Sequence, residues 1–103
     1  MRRNAAYAAS KAAVGAVTRC LAVEWASKKI RLLTVAPGYI ETDLNKEFLQ
    51  AEKIKTFLAA RIPVGGPAQA TDIAKLIGML YAQDVNYFTG ETLYVDGGQG
   101  MAL

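Results

Sequence analysis

Tyr7 and Lys11 stand four positions apart, and of all the pairs in this chain they are the best suited to moving a proton. At i and i+4 of a helix, a phenol and an ammonium lie side by side on one face. A phenol ordinarily titrates near about 10, too high for ready proton exchange at neutral pH. A neighbouring cation favours the phenolate and brings that value down. Such a pair can act as a general acid or base towards an alcohol or carbonyl oxygen. The same spacing also arises by chance, so it defines a chemistry only together with the elements that hold it.

Periodicity supplies those elements. A helix is expected from Ala5 to about Lys28: alanines crowd its first half, and Gly15 is its one internal breaker. Tyr7, Lys11, Val14, Thr18, Leu21 and Trp25 step by three and four and share a face. Ala9, Ala12, Ala13 and Ala16 admit a close neighbour, and a helix apolar on most of its circumference calls for cover. The run Ile30–Ala36 is almost continuously apolar, as a strand covered on both faces of a parallel sheet is. Pro37, which has no N–H to donate, should end it. Residues 39–45 read as loop. Residues 46–61 carry helical periodicity, with Phe48, Leu49, Ile54, Phe57 and Leu58 apolar, until Pro63-Val64-Gly65-Gly66-Pro67 breaks the pattern. Thr71 is expected to cap a further helix, with Asp72 in its first turn and Ile73, Leu76, Ile77 and Leu80 as its buried stripe. A turn over 86–90 leads to a strand at 91–95, closed by Asp96-Gly97-Gly98.

Helix, strand, helix, helix, strand is an α/β order, with a parallel pair joined by a right-handed crossover. Two strands make too small a sheet to stand alone. Residues 1–103 are therefore read as a single, partial domain: a piece of something larger, or a chain that must associate.

The chain is 103 residues long, 52% hydrophobic and 20% charged, with a net charge of +3. That composition folds rather than staying disordered. The basic residues are scattered, which gives no case for nucleic-acid binding. One cysteine, Cys20, and no histidine rule out an internal disulfide and argue against a zinc site; no metal is expected. Cys20 is read as a small core residue. No apolar run approaches the ~18 residues of a membrane-spanning helix. Lys11 interrupts the apolar stretch after Arg2 and Arg3, which argues against a leader and leaves a cytoplasmic, non-membrane location as the expectation.

Three blocks then stand in order: Tyr7-Ala-Ala-Ser-Lys11 opening the helix, Pro37-Gly38-Tyr-Ile40-Glu-Thr42 after the first strand, and Thr89-Gly90 through Asp96-Gly97-Gly98 around the last. Together they resemble the C-terminal half of the short-chain dehydrogenases/reductases, over nearly the whole chain. The resemblance implies the C-terminal portion of a Rossmann-type doubly wound parallel sheet, an NAD or NADP cofactor and hydride transfer on a secondary alcohol or ketone. It implies that Tyr7 is the catalytic acid/base and that Lys11 assists it and holds the nicotinamide ribose. It also implies that Pro37 and Gly38 pack near the nicotinamide ring, that the Ile40 backbone meets the carboxamide, and that Thr42 bonds near the carboxamide and pyrophosphate. Each has a plainer reading: Pro37-Gly38 as a strand terminator, Thr42 as a helix cap, Asp96-Gly97-Gly98 as a strand end or subunit contact. Ser10 is not taken as a nucleophile, since the chain has no histidine to activate it.

Two family features are not matched. The family's catalytic serine lies well before the tyrosine, and only six residues precede Tyr7. No strand, glycine loop and helix are placed to cradle a pyrophosphate. Leu33 and Gly66 stand where the family often has asparagine and arginine. The expectation is a cofactor-binding half that is absent, Met1 as an internal or truncated start, and a chain inactive by itself. Residues 41–63 correspond to the family's substrate lid, whose Phe48, Leu49, Phe57 and Leu58 suit either an apolar substrate or ordinary packing. The rival expectation is a non-catalytic association module that binds a full-length homologue or itself as a homo-oligomer.

Overall fold

A computed structural model of the chain describes residues 4–101; Met1 and the Arg2–Arg3 pair lie outside them. The elements follow in the order α1 (Ala5–Trp25), β1 (Thr34–Pro37), β2 (Ile40–Glu41), α2 (Lys46–Gln50), α3 (Glu52–Arg61), β3 (Ala68–Gln69), α4 (Ala70–Ala82) and β4 (Thr92–Val95). They fall into two compact units. One takes in the chain up to Val35 together with Val85–Leu93; the other is Ala36–Asp84 with Tyr94 onward.

In the first unit α1 runs for 21 residues and tightens into a 3-10 turn at Ala26–Lys28. It stops where Lys29 takes φ +59°, the left-handed conformation in which helices commonly end. The expected helix is present, but its cover is partial: Thr18, Leu21 and Trp25 are half-buried, and among its described residues only Ala22 is buried. Cys20, expected in a core, is exposed. The strand expected over 30–36 shortens to Thr34–Pro37. The residues before it are still anchored, with the Leu32 N–H donating to Thr89 Oγ1 at 3.0 Å and the Leu32 carbonyl accepting from Gly90 at 2.7 Å. The Thr34 N–H donates to the Glu91 carbonyl. Partners on the two segments ascend together, which makes the β1–β4 pair parallel, as the apolar run implied.

In the second unit Gly38 donates to the Val95 carbonyl at 3.1 Å, continuing the same pairing. A Cβ at Gly38 would lie 2.9 Å from Asp96, so only glycine admits this approach. Beyond it the chain forms β2, which pairs in parallel with β3, Ile40 opposite Ala68 and Glu41 opposite Gln69. These two-residue strands leave no period in the sequence, and from the sequence the β2 stretch within 39–45 reads as loop.

The lid differs most from expectation. The single helix over 46–61 is two helices, broken where Ala51 is extended at ψ 130°. Leu49 and Leu58 are nine positions apart, which on one continuous helix puts them on opposite faces. The break lets both bury against Ile62, with Ile54 packed alongside. Burying two leucines together outweighs the one helical residue lost at Ala51. The start of α4 also shifts: Gln69 precedes it, and the Asp72 carboxylate accepts the Gln69 N–H at 2.8 Å. Asp72 thus holds the third helical position, while Thr71 lies inside the helix. Of the expected stripe, Ile73 is buried and Ile77 is exposed.

The Leu49–Leu58–Ile62 cluster yields the first prediction. Leu58→Ala removes a side chain 2% exposed and should cost about 2–4 kcal/mol. The urea midpoint by circular dichroism should fall accordingly, while Phe57→Ala next door should shift it far less.

Candidate active site

The residues with chemical promise form two groups, one in each unit. In the first, the opening turns of α1 carry Tyr7 and Lys11, and the Lys11 Nζ stands 5.5 Å from the centroid of the Tyr7 ring. The i, i+4 spacing alone produces this apposition. Tyr7 is 60% exposed, so the phenol is open to solvent. The Ser10 hydroxyl donates to the Tyr7 carbonyl at 2.7 Å, a local backbone contact that spends its proton within the helix.

In the second unit Pro37, Gly38, Ile40 and Thr42 line up along the exit from β1 and through β2. The Tyr39 carbonyl accepts from Ala68, which fixes the segment against β3. Asn45, at the threshold of α2, then turns its side-chain amide back on the segment. Its Oδ1 accepts the Thr42 N–H at 2.7 Å and its Nδ2 donates to the Ile40 carbonyl at 2.9 Å. A backbone N–H only donates and a carbonyl only accepts, so this pairing fixes which way the amide faces. Thr42 is not the cap of α2, since Asn45 holds that place.

Glu41 ties three elements together. Its Oε1 accepts from Gln50 of α2 and its Oε2 from Gln69 of β3, each at 2.9 Å. The Gln69 amide foremost holds the Glu41 carboxyl below its usual range; Gln50, Lys46 and Lys55 act in the same direction, and partial desolvation opposes them. Beside it a cavity of about 340 Å³ is lined by Glu41, Thr42, Asp43, Gln69, Ala70 and Thr71. At the other end, the Asp96 carboxylate accepts the N–H groups of Gly98 and Gly100 at 3.0 and 2.9 Å.

Sequence reasoning placed Tyr7, Lys11 and the 37–42 segment but passed over Asn45, Glu41, Gln50 and Gln69. Only Asn45 left a signal: an asparagine three residues after Thr42 is of the type that bonds nearby backbone in turns. Of the four apolar lid residues, Leu49 and Leu58 pack inside, whereas Phe48 and Phe57 are 63% and 46% exposed.

A family model described as enoyl-(acyl carrier protein) reductase matches residues 1–99. The chain is 44% identical over 92 residues to a glucose 1-dehydrogenase of Gluconobacter oxydans, covering 89% of this chain and 35% of that protein. It is 42% identical over 96 residues to the 3-oxoacyl-[acyl-carrier-protein] reductase FabG of Pseudomonas aeruginosa, covering 93% and 38%. Among solved structures it superposes on 4-hydroxyisoleucine dehydrogenase complexed with NADH with a TM-score of 0.87 and 27% identity, over 96% of this chain and 41% of that one. ElxO with NADP bound gives 0.82 and 32%, over 93% and 39%. The chain belongs to the short-chain dehydrogenase/reductase family, and its fold is the α/β, Rossmann-type arrangement of parallel strands. It spans 35% and 38% of the length of the two curated relatives named above.

The Glu41 bridge carries a pH dependence. Its folded-state value lies below the unfolded one, so its contribution is complete above the ordinary carboxylate range and lost as pH falls through the folded value. The side-chain amide resonances of Gln50 and Gln69 should titrate together, with a midpoint below 4.5. Glu41→Gln should abolish that titration.

Proposed function

We propose that this chain supplies the proton-transfer pair and the nicotinamide-side wall of an NAD- or NADP-dependent oxidoreductase acting on a secondary alcohol or ketone. The observation that carries this reading is the Lys11 ammonium beside the exposed Tyr7 ring, in a chain of this family. The names of the relatives above, a glucose 1-dehydrogenase and a 3-oxoacyl reductase, support a carbinol or carbonyl carbon as the reacting centre. The bound NADH and NADP of the two structural neighbours support the cofactor class.

The backbone geometry of the second unit supports placing the nicotinamide there. The Ile40 carbonyl and the Thr42 N–H together hold a primary amide, that of Asn45, and a primary amide is the group the nicotinamide ring carries. Bound there, the cofactor would supply or accept hydride at its C4. The rest falls to the chain. The Tyr7 phenol gives its proton to the carbonyl oxygen as a ketone becomes an alcohol, and the phenolate takes it back in the reverse direction. Lys11 carries the positive charge that a phenolate beside it needs, and holds the ribose hydroxyls. Pro37 and Gly38 would form the wall by the ring, and Thr42 would hold the carboxamide end. Phe48 and Phe57, left outside when the lid leucines pack, are the apolar surface offered to substrate.

The span of about a third of the relatives' length supports a further part of this reading: the 103 residues alone do not turn over substrate. The purified chain and its Tyr7→Phe variant should be indistinguishable in NADH- and NADPH-linked assays across a ketone panel. Turnover above the variant would overturn the inactivity. In a longer polypeptide continuous with Met1, if the DNA upstream encodes one, Tyr7→Phe should lower kcat by about 10²–10⁴-fold with cofactor affinity held. An unchanged kcat there would overturn the role of Tyr7.

One observation favours a second reading, an association module. Along α1 the large apolar side chains Val14 and Val17, three positions apart on one face, stand exposed at 51% and 54%. Uncovered apolar side chains of this kind mark a surface for a partner. On this reading the chain pairs through α1 with a full-length homologue or with itself. Co-elution of the two, lost in Val14→Lys/Val17→Lys, is expected; elution of the chain as a monomer beside the homologue would reject it.

A further inference from the structure

We infer that the Asn45 side chain is an internal stand-in for the nicotinamide carboxamide, occupying the place of that group until the cofactor displaces it. The inference rests on the reading that the Ile40–Thr42 segment receives the carboxamide. Its own ground is the chemistry of the pair. Nicotinamide's ring carries –CONH₂, and so does asparagine. One end of the Asn45 amide accepts the Thr42 N–H at 2.7 Å, while the other donates to the Ile40 carbonyl at 2.9 Å. Both backbone groups are satisfied by one planar amide, which is what a docking carboxamide would offer them. The two amides therefore compete for the same donor and acceptor.

The competition has a structural consequence. Asn45 is the residue from which α2 departs, and its own carbonyl accepts the Leu49 N–H at 2.9 Å. When its side chain gives way, the start of the lid helix loses its side-chain ties to Ile40 and Thr42, while the Asn45 N–H still donates to the Thr42 carbonyl at 3.2 Å. The Gln50–Glu41 contact remains as a second hold, between α2 and β2. Leu49 stays seated in the cluster with Leu58 and Ile62. Docking of the carboxamide thus loosens one end of the lid segment and leaves the other packed. Asn45 is a positioning residue in this scheme: it touches neither substrate nor hydride.

The test titrates the purified, ¹⁵N-labelled chain with nicotinamide mononucleotide, which carries the carboxamide and ribose without the adenosine half. Chemical shifts are the readout, so no turnover is needed. In the unaltered chain the Thr42 backbone amide and the Asn45 side-chain NH₂ should shift together, with one midpoint. Asn45→Ala should lower the midpoint about fivefold, the worth of roughly one net hydrogen bond released from competition. Asn45→Asp keeps an acceptor for Thr42 but loses the donor to Ile40, and should fall between the two; it carries the test if the alanine variant does not fold. Nicotinic acid mononucleotide, whose carboxylate cannot donate to the Ile40 carbonyl, should leave the Asn45 signal in place. Midpoints unchanged or raised in the variants, with Thr42 still responding to the nucleotide, would overturn the stand-in and spare the cofactor reading. So would displacement of Asn45 by the carboxylate nucleotide as readily as by the amide. No response at Thr42 in any of the three proteins would overturn both.

Discussion

The contact between Gly38 and Asp96 is the constraint on which the second unit turns. A hydrogen in place of a side chain at Gly38 lets the ends of β1 and β4 lie close enough to hydrogen-bond, because any Cβ there would strike Asp96. Asp96, so placed, folds the next residues back by accepting two backbone N–H groups in succession. At the head of that turn Gly97 takes φ +65°, and a Cβ on it would come within 2.8 Å of Ile62. Ile62 is the floor of the leucine cluster that seats α2, and α2 begins at Asn45, whose amide returns to Ile40, two residues beyond Gly38. The dependencies thus close on themselves. Two missing side chains decide where a helix starts, and that helix decides what the backbone of the candidate site is bonded to.

Charge plays a smaller and different part. Glu41 is solvent-accessible, so its hydrogen bonds add little to stability. Their value is geometric: one carboxylate with two oxygens fixes α2 and β3 to the same point of β2. Apolar packing buries Leu49 and Leu58, and this polar bridge ties the end of α2 to β2 and β3. The Tyr7–Lys11 pair in the first unit needs no such support, since a regular helix delivers it by spacing alone.

That contrast explains how much was legible in the sequence. Features that depend on one regular element were readable: the extent of α1, the apposition of Tyr7 with Lys11, the parallel sense of an apolar strand, its end at Pro37. The family could be read as well, because its three blocks sit at fixed places along the chain. Features that depend on contacts distant in sequence were not readable. Nothing in the 46–61 pattern shows that Leu49 and Leu58 must share one cluster, so the break at Ala51 was invisible. Two-residue strands carry no period, so β2 and β3 were passed over, and with them the Glu41 bridge they support. Composition and stripe place Cys20 and Ile77 inside, but both are exposed, because which side of an apolar helix meets a neighbour is decided by contacts distant in sequence. Asn45 lay in between: its type suggested a local backbone contact, but the groups it would meet depended on where the helix began.

The extended residue at Ala51 also governs how the lid can vary in length. Within α3 an added or lost residue would turn Leu58 by about 100° around the axis and swing it out of its cluster. At Ala51 the chain is not wound, so the two helices have independent rotational phases. A residue gained or lost there shifts α2 along its path without unscrewing α3. The lid therefore has one joint at which it can be lengthened or shortened with its floor intact, and that joint lies six residues past Asn45.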